Sequence, residues 1–142
     1  MAENAKIKVT GMSDDGNPFS EPEFTVTEAC GRYDVLADRH VVTFEETDPD
    51  TGMLLKTMIR FDEETAEVIR KGSIESKLVF DKNKKNETMY TTPYGSFQMA
   101  TVTSRLELEK ENKKIDLHVN YDLEINDEFV SKNSTVIEIE II

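Results

Sequence analysis

The chain has 142 residues, of which 37% are hydrophobic and 32% charged, and its 17 Lys and Arg face 29 Asp and Glu for a net charge of −12. That length makes one domain, residues 1–142, able to bury a core, and the hydrophobic content excludes disorder of the apolar-poor kind. So acidic a surface is repelled by phosphate backbones and anionic bilayers, which argues against nucleic acid and membrane as partners.

Taken in chain order, nearly every segment alternates with period two, and none repeats convincingly with the period of a helix. "KIKV" opposes Ile7 and Val9 to Lys6 and Lys8, and "EFTVT" opposes Phe24 and Val26 to Glu23, Thr25 and Thr27. Burial of the apolar set then predicts that Phe24 and Val26 face inward. In "GMLLKTMIRF", Leu54 and Met58 share one face while Met53, Leu55, Ile59 and Phe61 share the other. Both faces of that strand are therefore expected to be covered, by a second copy or by a long N-terminal arm. In "MYTTPYGSFQMATVT", Pro93 favours an extended Thr92 and Gly95 tolerates the positive φ of a tight turn, so this is a hairpin. If Phe97 and Met99 point inward, strict alternation takes Thr101, Thr103 and Arg105 with them.

"KIDLHVNYDLEI" is the clearest strand, with Ile115, Leu117, Val119, Tyr121, Leu123 and Ile125 on one face and polar residues on the other. "TVIEIEII" repeats the pattern with Ile137, Ile139 and Ile141. Turn-forming stretches such as "SDDGNP", "DPDTG", "DEET", "DKNKKN" and "INDE" separate about eight to ten strands, with no room for a helical crossover. One-sided strands joined by short hairpins predict an all-β fold: a single antiparallel up-and-down β-barrel, with a sandwich as the alternative.

Conventional catalytic and metal motifs are missing. His40 and His118 lack ligand spacing; His118 falls on a charged face, and His40 shares parity with Val42 and Phe44 as a core histidine would. "DPDTG" resembles the start of a calcium loop, but its glycine comes one place early and Ile59 stands where the closing glutamate belongs. Glu45, Glu46, Asp62, Glu63 and Glu64 read as turn and surface carboxylates. The sequence is thus expected to be no enzyme, with no catalytic residue, cofactor or metal. Cys30 is the sole cysteine, and the N-terminal segment has no apolar core of signal-peptide length, so a cytoplasmic protein is expected.

Several short motifs carry a family resemblance: "FEE" at Phe44–Glu46, "IRKG" at Ile69–Gly72, "LVF" at Leu78–Phe80 and "YTTPYG" at Tyr90–Gly95, followed by Thr103 and Tyr121. In this order and spacing they resemble the YwiB-like family of small bacterial proteins of unknown function. The match runs from about Tyr33 to the C-terminus and is densest between Thr57 and Leu123; it departs at Phe44, where the family often has a tyrosine. The resemblance implies a closed calycin-type, lipocalin-like barrel in a bacterial cytoplasm, and it implies no activity.

Arg70 shares parity with Ala66 and Val68, and an interior arginine must find a carboxylate, hydroxyls or a ligand anion. Two arrangements follow. In one, Arg70, Tyr90, Thr103 and Tyr121 meet in or at the mouth of the barrel around the head of a small anionic or amphiphilic ligand. In the other, Glu46 neutralises Arg70, tyrosine hydroxyls complete the network, and the barrel is a solid structural or interaction module with protein partners. The quaternary expectation is a monomer or homodimer.

Overall fold

A computed structural model describes residues 2–47, 51–72 and 75–142. Ten strands follow one another: β1 (Glu3–Asp14), β2 (Glu23–Leu36), β3 (Arg39–Thr47), β4 (Leu54–Phe61), β5 (Thr65–Lys71), β6 (Ser76–Asp81), β7 (Asn86–Thr92), β8 (Gly95–Glu111), β9 (Lys114–Ile125) and β10 (Glu128–Ile141). No helix occurs among the described residues. All ten belong to one antiparallel sheet in the order β6-β5-β4-β3-β2-β1-β10-β9-β8-β7, so the up-and-down meander is realised. The loop expected from "DPDTG" has Asp48, Pro49 and Asp50 outside the described residues.

Turn chemistry sets the hairpins. Ala37 and Asp38, like Asn126 and Asp127, take successive positive φ values, the two-residue turn whose twist suits antiparallel neighbours. Asp62 turns the chain from β4 to β5 by accepting the N–H groups of Glu64 and Thr65 at 2.9 and 2.8 Å. Pro93 and Tyr94 join β7 to β8, with Gly95 at φ 138° as its position requires.

The sheet curls until its two ends almost meet. Glu75 and Thr91 exchange backbone hydrogen bonds of 3.0 and 2.9 Å, and the Thr101 hydroxyl donates to the Val79 carbonyl. These contacts draw β6 against β7 and β8 and make a nearly closed barrel. At one end lie the β2–β3, β4–β5, β6–β7 and β8–β9 turns, and here the interior is solid. Val42, Phe61, Ile115, Leu117 and Ile139 are buried to within a fraction of a per cent. The opposite end, which carries the other five connections, is the mouth.

Three sequence expectations are corrected by the strand geometry. Phe24 and Val26 point outward and are 69% and 60% exposed, while Thr25 and Thr27 face the interior. The pairing of β2 with β1 sets Thr25 opposite Gly11 and Thr27 opposite Val9, so the ladder overrides residue hydrophobicity. Arg105 also faces outward, because the β8–β9 register shifts between Thr103 and Arg105. A bulge adds one residue and reverses every later side chain, which puts Leu106 in the core and pairs Arg105 with Glu107 on the surface at 2.7 Å. The N-terminal segment is likewise no covering arm. It is β1, between β2 and β10, and Leu54 and Met53 stay exposed.

Candidate functional site

Beneath the mouth lies a cavity of about 200 Å³. Its apolar wall comes from Val9, Phe44, Ile59, Val68, Phe80 and Val119, and its polar wall from Thr25, Thr27, Glu46, Arg70, Tyr121 and Thr135. These residues converge because the barrel brings the mouth ends of non-adjacent strands around one space, with β3 and β5 on one side and β9 and β10 on the other.

Arg70 and Glu46 form its charged pair. Arg70 Nε donates to Glu46 Oε1 at 3.1 Å, and the same oxygen accepts the Thr57 hydroxyl at 2.7 Å. The two side chains are 35% and 17% exposed, so the pair sits at the boundary between cavity and solvent. Cross-strand pairing positions it: Arg70 lies opposite Thr57 on β4, and Thr57 lies opposite Phe44 on β3, two residues before Glu46. A shared acceptor with two donors leaves the cation neutralised.

Across the cavity, Tyr121 stacks at a tilt on Phe80, with ring centroids 4.6 Å apart, and hydrogen-bonds Thr135. Burial raises its phenol above the usual tyrosine range, and the Thr135 bond and the Arg70 charge only partly offset this. Tyr121 is thus a neutral hydroxyl at physiological pH, suited to hydrogen bonding rather than to accepting a proton.

Of the five expected site residues, the fold brings Arg70, Glu46 and Tyr121 to the cavity wall. Thr103 is buried directly opposite Tyr121 on β8 but is not part of that wall, and its hydroxyl has no hydrogen-bond partner. Tyr90 lies on β7 opposite Phe97, near the seam, and does not join them. Sequence reasoning missed Glu23, Thr25 and Thr27. Carrying parity back from Tyr33 through Gly31 and Ala29 finds them, since Tyr33 is buried and nothing in β2 breaks the alternation.

Away from the cavity, His40 is half-buried at the closed end, at the margin of the core rather than within it. Its Nδ1 shares a 2.7 Å hydrogen bond with the Tyr33 hydroxyl and its ring stacks on Phe61 at 5.0 Å. Burial, reinforced by the Lys110 charge and opposed by Asp62, lowers its pKa below the usual histidine value. Among the described residues no group of His, Cys, Asp and Glu is placed to hold a metal ion, and no helix is long and apolar enough to cross a membrane.

The crystal structure of the ywiB protein from Bacillus subtilis superposes with a TM-score of 0.86 at 18% identity, covering 99% of this chain and 92% of that one. At that identity the likeness speaks for the fold, and it agrees with the barrel described above. No curated protein matches the sequence significantly. A family profile matches residues 7–137, almost the whole ladder from β1 to β10. The chain therefore belongs to the DUF1934 family, a domain of unknown function.

Proposed function

We propose that the protein is a binding module that holds a small amphiphilic molecule in the mouth half of the barrel. The observation that carries this reading is the contrast inside one barrel: the closed half is filled, while about 200 Å³ under the mouth is not. An apolar cavity of about 150 Å³ accommodates benzene, so this one suits a ligand of about eight non-hydrogen atoms. Its apolar body would lie against Val68, Phe80 and Val119, with its head toward Arg70, Glu46 and Tyr121.

The character of the head follows from the pair. A simple anion must compete with Glu46 for Arg70 and leave that carboxylate half-buried beside it. A neutral or zwitterionic head can accept from Arg70 or Tyr121 and donate to Glu46 without breaking the pair. We place this activity in the cytoplasm, in keeping with the single exposed Cys30.

Native mass spectrometry of protein purified from its host is the first test, followed by titration with short amphiphiles monitored through backbone amides. A co-purified small molecule is expected, with Arg70→Ala losing it while remaining folded and Ala66→Leu excluding it by filling the cavity. A repeatedly clean apo mass, together with no response to amphiphiles of either head type, would overturn the reading in favour of a solid interaction module.

A further inference from the structure

The outer wall of the mouth half carries a groove of about 730 Å³ where β2 leaves β3. Strand β2 pairs with β3 only from Gly31, opposite Phe44, to Leu36. At the parting point a Cβ on Gly31 would strike the Thr43 carbonyl, so the two strands press together there and diverge beyond it. Register then builds the groove from outward-facing residues. Arg32 lies opposite Thr43, Thr43 opposite Met58 and Met58 opposite Ile69, which makes one row. Lys56 and Lys71 lie opposite each other in the next row, nearer the mouth, with Glu45 opposite Lys56 on its other side. Arg60 closes the far side of the groove.

The charge of this groove runs against that of the whole chain. Among the described residues its wall holds Arg32, Lys56, Arg60 and Lys71 against one carboxylate, Glu45, whereas the protein has 17 cations for 29 acids. Arg60 is committed to Glu67 at 2.7 Å. Lys56 and Lys71 form no ion pair among the described residues, and Arg32 gives only a 3.4 Å bond to the Ala2 carbonyl. Like charges directly opposite on neighbouring strands repel, so the Lys56–Lys71 pair is destabilising by itself and would be relieved by a bound anion. A second groove, over β1, β2, β9 and β10, shows the balanced arrangement: Lys6, Lys8 and Lys114 are matched there by Glu28, Glu138 and Glu140. Between the cations of the first groove the floor is apolar, formed by the half-buried Met58 and Ile69.

We propose that this groove binds a small organic phosphate. The phosphoryl group sits between Lys56 and Lys71 with Arg32 reaching in from β2, and an apolar or aromatic body lies across Met58 and Ile69. A dianion matches the three cations that lack a carboxylate partner better than a single carboxylate would, and Arg32 adds a planar donor fork beside two point charges. The body is required because inorganic phosphate would leave the apolar floor uncovered. The site lies on the outside of the wall whose inner side lines the cavity, so it stands whether or not the cavity holds a ligand.

The test titrates the full chain with phenyl phosphate, and separately with phenol and inorganic phosphate as the two halves of that probe. Backbone amides and the methyl groups of Met58 and Ile69 report where each binds. Saturable binding of phenyl phosphate is expected, with shifts centred on those methyls and on Lys56 and Lys71, and about tenfold weaker binding of either half. Affinity should fall about fivefold between about 50 and 300 mM salt. Lys56→Gln with Lys71→Gln should weaken phenyl phosphate about tenfold. Lys8→Gln with Lys114→Gln makes the same change in net charge and should alter it by less than about twofold. Met58→Glu provides an independent variant that should abolish binding, with thermal melts checking that each variant folds. An equal effect of the two lysine pairs would overturn the proposal, as would inorganic phosphate binding as tightly as phenyl phosphate, shifts centred on Val68 and Tyr121 in the cavity, or no saturation. So would tighter binding of an oligoglutamate peptide, which would assign the groove to an acidic protein partner instead.

Discussion

The two ends of this barrel use the same ten strands to opposite effect. At the closed end the inward positions are large and apolar, and Phe61, Ile115, Leu117 and Ile139 are fully buried against one another. At the mouth the inward positions of β1 and β2 are Gly11, Thr25 and Thr27, too small to fill the same radius, and a cavity remains. Outside, Phe19, Phe24, Met53, Tyr94 and Phe129 stand exposed around the mouth, against Val35 and Leu36 at the closed end. Stability is thus concentrated at one end, and the groups capable of recognition are gathered at the other.

Substitutions can break or sharpen this contrast. The largest effect is expected from Phe61→Ala, which opens a void in the solid half and should cost about 3–5 kcal/mol in chemical denaturation. At the boundary between the halves, Gly31→Ala drives a Cβ against the Thr43 carbonyl and should cost about 1–3 kcal/mol, because backbone cannot yield as a side chain does. Glu46→Ala strips Arg70 and Thr57 of their acceptor and should cost about 1–2 kcal/mol, discounted for the partial exposure of the pair. If Glu46→Ala proved as damaging as Phe61→Ala, the mouth would be part of the stabilising core and the contrast would fail. Smallest of all, Phe24→Ser should shift stability by less than about 0.5 kcal/mol.

Acid should also act on the closed end first. The folded state holds His40 at a lowered pKa, so below the unfolded value of about 6.5 the unfolded chain takes up a proton that the folded chain resists. Stability is therefore full above that pH and declines as pH falls through it. Asp62 adds a later loss. Burial alone would raise its carboxyl, but the N–H groups of Thr65 and Glu64 and the Arg39 charge outweigh that and hold it below the usual range. Its contribution persists above about pH 4 and disappears only under stronger acid. Thermal melts across this range should show the upper step vanish in His40→Gln while the lower one remains.

Much of the fold was legible because hairpins are local. Alternation in β9 and β10 named the core residues Ile115, Leu117, Val119, Ile137 and Ile139, and all five are buried. The site was read less completely. Arg70, Glu46 and Tyr121 could be singled out because charged or hydroxylated residues on an apolar face are conspicuous. Thr25 and Thr27 were hidden beside Phe24 and Val26, since a rule that turns the greasier side inward chooses wrongly where the greasier side is exposed. Tyr90 lies outside the cavity wall, and parity, which says only which face of its own strand a residue occupies, does not reveal which residues of other strands it meets.

The sequence by itself bounded the strand number at about eight to ten and set hairpin order and much of the inward set of the closed half, because alternation and turn chemistry act between neighbours in the chain. Only the tertiary structure decided where β2 parts from β3, where the bulge in β8 reverses Arg105, and that the mouth half stays hollow. Those features depend on register and curvature between strands distant in sequence, and a one-residue shift in pairing, invisible in either strand alone, exchanges inside for outside.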